Sequence, residues 1–587
     1  MASDDSSLPP SSTFESLLQL EDEPLDSSSR SSIFHSRSHS TTPRSRPSSP
    51  RPLSFGSPSP SRSNPLFPSP GGLYGSLRSL RPKHLGRRKK GSQGRRRTRG
   101  ILMWSGVVAF FFLMNWWMFS RLQDPALRPS GKDSAFLNRT ATAQTYLDNG
   151  SSNGKRKRVH RVMFTRLLAL AAHALAEICN AVAITRLLNA TLVVPKFLYN
   201  SVWRDTSQFS DIYQEEHFIN DLKADIPIVK ELPVELQSLD LEAMSSLVTD
   251  AEVMKESKPS FYVKKVLPIL LKNRVIHFVG FGNRLAFDPI PFELQRLRCR
   301  CNFHALRFVH KIQETGALLV QRMQHHRPYS TPLEHNLLGQ FTDKAVPDGK
   351  KMVPAKYLAL HLRFEIDMAA YSMCYFGGGK DEEEELEAFR AVHFPALTLL
   401  RKTTKVPSAG FLRSEGKCPL TPEESVLMLA ALGFKRSTRI YIAGAEIYGG
   451  KLRMAAISRL YPNIATKESL LSSSEIEPFR NYSSQLAALD FIMCAAADAF
   501  AMTDSGSQLS SLVSGYRMYY GGGKLPTIRP NKRRLASIFS KNGTIEWKEF
   551  EDRVRKTIRQ TKQVHERPIA RSIYRHPRCP ECMCRIE

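Results

Sequence analysis

Residues 355–368 read AKYLALHLRFEIDM, and the apolar run YLAL within them predicts a short buried strand. His361 and Arg363 stand where that strand should end, and both are candidate substrate-binding residues. In open α/β sheets, ligands bind beyond the carboxyl ends of the strands. An arginine offers a planar, permanently charged fork that grips phosphate oxygens. Arg363 is therefore a candidate for holding the diphosphate of a nucleotide sugar, and the alternative is a structural ion pair with Glu365 or Asp367.

Strands and helices alternate after this stretch. Thr421 at the N-cap, Pro422 at the first helical position and Glu424 two residues later predict a helix that stops at Gly433. Further strands are predicted at residues 439–443, 464–466 and 499–503, and further helices at 452–460, 484–497 and 509–513. This order predicts a parallel sheet with helices on both faces.

A polar turn separates the last of these strands from its helix. It consists of Asp504, Ser505, Gly506, Ser507 and Gln508. Backbone N–H groups and the helix dipole make such a turn suitable for phosphate, to which the serine hydroxyls add donors. The alternative is ordinary capping of the helix by Asp504 or Ser505. Because this turn and Arg363 both follow strands of one sheet, we expect them to face the same crevice.

Acidic residues next to Arg363 are candidates for proton transfer. If the chain stays extended, Glu365 and Asp367 point the same way, and Glu365 is a candidate general base for an acceptor hydroxyl. The alternatives are a surface carboxylate or a partner of Arg363. No Asp-x-Asp pattern follows a strand, so we expect no metal and assign neutralisation of the leaving group to arginine. A zinc site at Cys579, Cys582 and Cys584 with His576 lacks a second ligand pair, which favours a disulfide-pinned terminus.

The residues before this sheet also alternate between apolar helix and strand patterns. Helices are predicted at residues 167–188, 292–301 and 308–323, and strands at 191–195 and 274–279. This alternation is also typical of an α/β fold.

The N-terminal part indicates a membrane anchor. The chain has 587 residues and a formal charge of +29, but its densest basic block, residues 81–99, directly precedes the mostly apolar residues 101–120. That length suits a bilayer span, and positive charge stays on the cytoplasmic side. We therefore expect a cytoplasmic N-terminus and no nucleic-acid partner. The Ser-, Pro- and Arg-rich tail cannot bury enough apolar surface to fold.

Sequons and cysteines indicate that the part after residue 121 is luminal. All nine cysteines follow the span, where an oxidising compartment permits disulfides. An odd number leaves at least one thiol unpaired within the chain. Five sequons also follow the span, and we expect Asn189 to be buried inside a helix-to-strand connection and to stay unmodified. Their asparagines are Asn138, Asn149, Asn189, Asn481 and Asn542.

Several of these blocks together resemble the plant O-fucosyltransferase-like family. They are residues 361–368, 439–450, 488–490, 505–508, 515–517 and 526–531, with upstream blocks at 180–195, 281–286 and 295–299. The resemblance covers roughly residues 175–560. It implies a single-pass type II Golgi glycosyltransferase with two Rossmann-like domains of the GT-B type, inverting and metal-independent. It places donor binding at Arg363 and phosphate binding at residues 505–508.

The resemblance completes the predicted organisation. A disordered cytoplasmic tail (1–100), a transmembrane helix (101–120) and a luminal stem (121–158) precede an N-terminal Rossmann-like domain (159–345). A C-terminal nucleotide-sugar-binding domain (346–560) and a Cys-containing tail (561–587) follow. The expected activity is transfer of fucose from GDP-fucose to a hydroxyl of a protein or cell-wall glycan. The alternative in the same class is a UDP-rhamnose-dependent pectin rhamnosyltransferase.

One departure from the family pattern favours a non-catalytic Golgi member as a further alternative. The family carries a Gly-Gly-x-Asn loop upstream of the position of Ile178, but this chain has no glycine between Gly154 and Gly280. Glycine is what lets backbone approach a ligand closely. The interruption could extend to the first strand of the N-terminal domain.

Overall fold

The computed structural model describes residues 161–584, apart from 169–170, 200–204, 250, 281–283, 325–330, 344–354, 405, 505, 523, 542–543 and 561–571. These described residues belong to one compact unit. The predicted tail, span and stem lie outside them, as do the boundary at 345, Ser505 and the sequons at Asn138, Asn149 and Asn542. Among the residues that are described, no helix is both long and apolar enough to cross a bilayer.

The first sheet contains six strands in the order β4-β2-β1-β6-β5, and β3 pairs with a second part of β1. All of its pairings are parallel. The strands are β1 (Val162–Leu168), β2 (Thr191–Val193), β3 (Lys196–Leu198), β4 (Ile228–Val229), β5 (Leu247–Thr249) and β6 (Val275–Val279).

The second sheet has the order β12-β11-β10-β7-β8-β9 and is parallel except for the pair β11–β12. Numbered from its own first strand, this is the Rossmann order 3-2-1-4-5-6, which reverses direction between β7 and β10. The strands are β7 (Tyr357–His361), β8 (Arg439–Ala443), β9 (Ile464–Ala465), β10 (Ala499–Met502), β11 (Thr527–Arg529) and β12 (Arg559–Gln560).

Helices connect the strands and cover both sheets. In chain order the α-helices are α1 (Ala171–Leu188), α2 (Phe209–Ile212), α3 (Glu215–Leu222), α4 (Val234–Gln237), α5 (Pro259–Phe261), α6 (Leu267–Asn273), α7 (Phe292–Arg300), α8 (His310–Gln324), α9 (Pro332–Leu338), α10 (Ile366–Ser372), α11 (Gly379–His393), α12 (Pro395–Thr403), α13 (Ala409–Ser414), α14 (Pro422–Ala431), α15 (Gly450–Leu460), α16 (Lys467–Leu470), α17 (Ser473–Ile476), α18 (Ser483–Ala496), α19 (Gln508–Tyr520), α20 (Lys532–Phe539), α21 (Trp547–Thr557) and α22 (Pro580–Met583). Two π-helical turns (Tyr262–Val266 and Cys301–Ala305) and two 3-10 turns (Gly339–Asp343 and Glu477–Phe479) extend this set.

The strand β7 is buried on both faces, as its continuous apolar run predicts. Successive side chains of a strand point to opposite faces. Accordingly, Tyr357 and Ala359 join the hydrophobic cluster shared with the first sheet, whereas Leu358 and Leu360 join the cluster on the far side of the second sheet. One face of the second sheet therefore packs in the same core as the first sheet.

Several predicted elements of the second sheet are confirmed. The strand at residues 439–443 is found as Arg439–Ala443, and the capping box of α14 forms with Thr421 and Glu424. The helix predicted at 509–513 is longer and spans Gln508–Tyr520.

The prediction for residues 167–188 is wrong at its start. Leu167 belongs to β1, and the helix begins only at Ala171. The first strand is also present, although the altered sequence put it in doubt: β1 pairs with β2, β3 and β6 in the middle of the sheet. β1 forms a strand because it pairs along both of its edges and because Val162 and Met163 are buried. These tertiary interactions outweigh the helical spacing of the apolar residues that follow.

Candidate functional site

The predicted arginine and the predicted polar turn follow neighbouring strands. β7 and β10 are parallel, and Met502 is the partner of His361 in their register. Arg363 and Asp504 each lie two residues beyond that pair. The backbone N–H of Thr503 donates to the carbonyl of His361 at 3.1 Å. The structure thus brings both candidates together where the strand order reverses, which is where ligands of this topology bind.

Two carboxylates hold the guanidinium of Arg363. Its Nη1 lies 2.5 Å from Oε2 of Glu365, and its Nη2 lies 2.8 Å from Oδ2 of Asp367. The arginine side chain is 21% exposed. Burial alone would lower the pKa of Arg363, but the charges of Glu365 and Asp367 raise it above its ordinary value. The predicted structural ion pair is therefore formed, with both acidic residues rather than one.

Glu365 joins this arginine to the loop after β8, residues 444–450. Its Oε1 accepts from the backbone N–H of Ala445 at 3.3 Å, and it forms an isolated antiparallel bridge with Ile447. The chain does not stay extended here, because Glu365 is the N-cap of α10 and Asp367 lies in its first turn. The side chains still converge, because the guanidinium of Arg363 lies between them. Both carboxylate oxygens of the predicted base thus have partners.

Asp504 is buried and forms the inner part of the polar turn. Its Oδ2 lies 2.9 Å from Nζ of Lys532, and its Oδ1 accepts from the backbone N–H of Gly506 at 2.6 Å. Burial would raise the pKa of Asp504, but Lys532 and the Gly506 N–H lower it below its ordinary value. Asp504 is therefore a carboxylate that shapes the turn.

The outer part of the turn presents the start of α19. Ser507 is the N-cap of this helix and makes no side-chain cap hydrogen bond, while Gly506 is exposed. The first N–H groups of a helix have no partner within the helix and favour an anion. Gln508 begins the helix. The N–H of Gly506 donates to Asp504, so Ser507 and Gln508 are the described residues of the predicted phosphate turn whose backbone N–H groups can meet a ligand.

His361 lies beneath this turn. Its Nδ1 is 2.8 Å from Oγ of Ser510 in the first turn of α19. Burial, and then the nearby charge of Arg363, lower the pKa of His361 to about 3. The imidazole is therefore neutral near pH 7 and joins the end of β7 to α19.

The sequence did not predict a buried charge cluster beside the site. Lys467 lies 2.9 Å from Asp490, which also accepts from the hydroxyl of Tyr441 at 2.7 Å. Lys467 donates to the carbonyl of Gly444 at 2.7 Å, and the Gly444 N–H donates to Asp490 at 3.2 Å. Burial would lower the pKa of Lys467, but Asp490 raises it. The cluster fixes the first residue of the loop that carries Ala445.

Only a weak signal in the sequence could have revealed these positioning residues. Lys532 begins an amphipathic helix, where a lone charge is normally solvated, whereas Asp490 is the single acidic residue of the mostly apolar and buried α18. Residues 488–490 were singled out by the family resemblance, but not for an ion pair with Lys467.

Two disulfides are present in the described part of the chain, Cys299–Cys582 and Cys374–Cys418. The first confirms a disulfide-pinned terminus. Among the sequon asparagines that the structure describes, Asn189 and Asn481 are both exposed. Asn189 does lie in a helix-to-strand connection, between α1 and β2, but the expectation that it is buried there is wrong. Its φ of 49° places it in a tight turn that turns the side chain outward.

The chain is similar to several known proteins. Residues 175–520 match the family model "GDP-fucose protein O-fucosyltransferase". O-fucosyltransferase 15 of Arabidopsis thaliana is 54% identical, with 81% of this chain and 85% of that protein covered. O-fucosyltransferase 2 of the same species is 66% identical, with 69% of this chain and 64% of that protein covered. Among solved structures, POFUT1 in complex with GDP-fucose is 11% identical with a TM-score of 0.34, and 64% of this chain and 98% of that chain are covered.

Proposed function

Since the chain belongs to the GDP-fucose protein O-fucosyltransferase family and is a glycosyltransferase, we propose that it transfers fucose from GDP-fucose to a hydroxyl of a protein or cell-wall glycan. The proposal includes a GT-B type site, inversion at the sugar carbon and no requirement for a metal. Fucose as donor is supported by the names of the matching family and relatives.

The observation that carries the proposal is the pairing of Arg363 with residues 506–508 beyond neighbouring strands. Beyond the carboxyl ends of the paired strands β7 and β10, Arg363 supplies a permanent cation and α19 supplies its first turn. A nucleoside diphosphate needs both, because its charge is spread over two phosphates. We place the diphosphate between them.

This geometry supports departure of the diphosphate. As the bond between the sugar C1 and the β-phosphate oxygen breaks, its electron pair moves to that oxygen. We propose that Arg363 and the first N–H groups of α19 donate to this growing charge and stabilise it. The acceptor oxygen forms the new bond to C1 from the opposite face, which gives inversion.

The proton of the acceptor hydroxyl needs a base, and Glu365 is our candidate. In the structure, Oε2 of Glu365 is engaged by Arg363. We propose that the diphosphate attracts the guanidinium of Arg363 and thereby releases Oε2 to take the proton. Asp367, whose two oxygens lie 3.2 and 2.8 Å from the guanidinium nitrogens, stays behind to orient the arginine.

The proposed location is the Golgi membrane, as a single-pass type II protein with a luminal catalytic part. The basic block at residues 81–99, the apolar residues 101–120 and the distribution of cysteines support it. The exposed sequon asparagines Asn189 and Asn481 suit a luminal domain as well. Glycosidase-sensitive mass at these two asparagines, measured on protein from plant membranes, tests this topology.

Turnover of a donor panel tests the activity. The full-length protein is assayed for nucleotide release from GDP-fucose and UDP-rhamnose, beside Arg363→Ala and the exposed control Arg436→Ala. We expect GDP release that Arg363→Ala abolishes and Arg436→Ala leaves intact. Release of UDP alone would favour the rhamnosyltransferase, and turnover that survives Arg363→Ala would overturn the site.

A non-catalytic member is the second candidate, favoured by the absence of glycine between Gly154 and Gly280. A variant with a Gly-Gly-x-Asn loop restored upstream of Ile178 distinguishes it. Turnover only in the restored variant would mean that the native chain keeps the fold without the catalysis.

A further inference from the structure

The C-terminal segment, defined here as residues 572–584, packs along one face of α19. The carbonyl oxygen of Tyr574 lies so close to Gly515 that a Cβ there would be 1.7 Å away. Arg575 donates to Oγ of Ser511, and Arg578 donates to the carbonyl of Met518 at 3.2 Å. Positions 511, 515 and 518 are spaced as one face of a helix. The segment therefore follows α19 from its first turn to its last.

The same segment is anchored to helices of the first sheet. The hydroxyl of Tyr574 lies 3.1 Å from Oδ1 of Asn180 in α1, and Nε of Arg298 in α7 donates to that hydroxyl at 3.2 Å. The disulfide Cys299–Cys582 joins the segment to α7 covalently. Residues 572–584 thus link α19 to α1 and α7.

Arg575 is the member of the segment that reaches the phosphate turn. Its Nε and Nη2 lie 3.1 and 2.8 Å from Oγ of Ser511, and that hydroxyl donates to the carbonyl of Ser507 at 2.9 Å. Ser507 is the N-cap of α19. Two successive hydrogen bonds, joined at the Ser511 hydroxyl, therefore connect Arg575 to Ser507, which lies beside the backbone N–H groups of the phosphate turn.

The charge of Arg575 fits a role in anion binding better than a role in helix stability. A cation near a helix N-terminus faces the positive end of the helix dipole, which is unfavourable for the helix alone. An anion placed at the same end reverses the sign of that interaction. Arg575 is partly buried at this position, so solvent screens its charge only in part.

We propose that Arg575 is a positioning residue for the diphosphate-binding turn, acting through Ser511 and Ser507. This inference rests on the proposed function, because it assigns the turn at residues 506–508 to the diphosphate. By fixing the carbonyl of Ser507, Arg575 would keep the N–H groups of the turn aimed into the crevice, and its charge would add to that of Arg363.

Binding of GDP to the full-length protein tests the inference by titration calorimetry. Arg575→Ala should weaken GDP about tenfold, the size expected for one hydrogen bond from a charged donor. Ser511→Ala, which suits a helix and keeps the fold, should weaken it by a similar factor. Because Ser511 is proposed to act on the same contact as Arg575, the double variant should be no weaker than Arg575→Ala alone.

Arg578→Ala is the matched control, since it removes a contact of the same segment from the far end of α19. Its thermal unfolding should shift as that of Arg575→Ala does, while GDP affinity stays at the wild-type value. Equal loss of affinity in both arginine variants, additive losses in the double variant, or unchanged affinity in Ser511→Ala would overturn the inference.

Arg363→Ala separates this inference from the proposed function. If the wild-type protein binds GDP and Arg363→Ala does not, the site stands and an unaffected Arg575→Ala overturns only the role of Arg575. If the wild-type protein binds no GDP, the proposed function and this inference fall together.

Discussion

The backbone N–H of Arg363 donates to Oγ1 of Thr503 at 3.0 Å. The same hydroxyl lies 3.2 Å from the carbonyl of His361, to which it donates. The buried hydroxyl of Thr503 thus links β7 to β10 immediately after the last backbone pair of these two strands. It fixes the backbone of Arg363 on the side of β10, where His361 and Met502 are the last partners in the register of the two strands.

Thr503→Val keeps the shape of this side chain and removes its hydroxyl. We expect the free energy of unfolding to fall by about 1–3 kcal/mol, because the Arg363 N–H loses its partner in a buried place. Urea denaturation measures this. Thr503→Ser keeps the hydroxyl and should lose clearly less, and equal losses in both variants would contradict the assigned hydrogen bond.

Arg363→Lys should lower kcat with GDP-fucose by about 100-fold. A lysine keeps the charge but has no planar fork, so it cannot hold Asp367 through two nitrogens and reach a phosphate as well. Steady-state kinetics measures the effect, with Arg436→Lys as the surface control. A lysine variant with wild-type kcat would show that charge alone suffices.

Lys532→Met should destabilise the fold by about 3–5 kcal/mol at pH 7, because it leaves the buried carboxylate of Asp504 without its cation. Both side chains are under 10% exposed. Lys380 and Glu384 form an exposed pair, at 85% and 66%, and Lys380→Met should have no measurable effect. Urea denaturation of both variants compares the two pairs.

The stabilisation of the fold by the pair Lys532–Asp504 depends on pH, and the pKa shift of Asp504 gives its direction. The pKa of Asp504 is lowered in the fold, so its stabilising contribution is present above its unfolded pKa of about 3.9 and is lost as pH falls through the folded value. The difference in unfolding free energy between wild type and Lys532→Met should therefore shrink below about pH 4. A difference that stays constant down to acid unfolding would contradict the pairing.

His361 produces pH dependence in a higher range. Its pKa is about 3 in the fold, whereas the unfolded chain takes up the proton near pH 6.5. Between these values the unfolded state binds more protons, so stability rises with pH, by up to about 1.4 kcal/mol per pH unit. His361→Gln should reduce the slope of unfolding free energy against pH between 4 and 6. An unchanged slope would mean that His361 is protonated in the fold.

Gly515→Ala should destabilise the protein by about 1–3 kcal/mol, because the new methyl group has no room against the carbonyl of Tyr574. Gly410 lies in α13 with open space around it, and Gly410→Ala should be neutral or slightly stabilising. Thermal unfolding of the two variants compares them directly. A tolerated Gly515→Ala would show that residues 572–584 are not packed on α19.

The sequence predicted the second sheet better than the first, for a physical reason. The strands of the second sheet are apolar runs bounded by turns, and the capping box at Thr421 and Glu424 marks a helix start locally. β1 carries no such boundary, since its apolar residues continue into those of α1. What identifies β1 as a strand is its pairing with β2 and β6, which lie far along the chain.

The candidate site was predictable only for residues that stand at strand ends. Arg363 and residues 504–508 could be placed together, because parallel strands end at one edge. Lys532 and Lys467 could not, since each finds its acidic partner across the fold, 28 and 23 residues away. The contacts of Arg363 with both Glu365 and Asp367 also depend on the start of a helix at Ile366, which the sequence did not predict.

The bond between Cys299 and Cys582 spans 283 residues, and this sets an order of events during synthesis. At a translation rate of about 5–20 residues per second, Cys299 emerges roughly 15–60 s before its partner. Cys179 is made before Cys299 and Cys301 directly after it; both are buried free thiols in the finished fold and are nearer competitors along the chain than Cys582. Correct pairing is therefore favoured if the first sheet has already buried Cys179 and Cys301 when Cys582 is made. The disulfide then forms across an interface that has already folded, and it does not direct the folding of that interface.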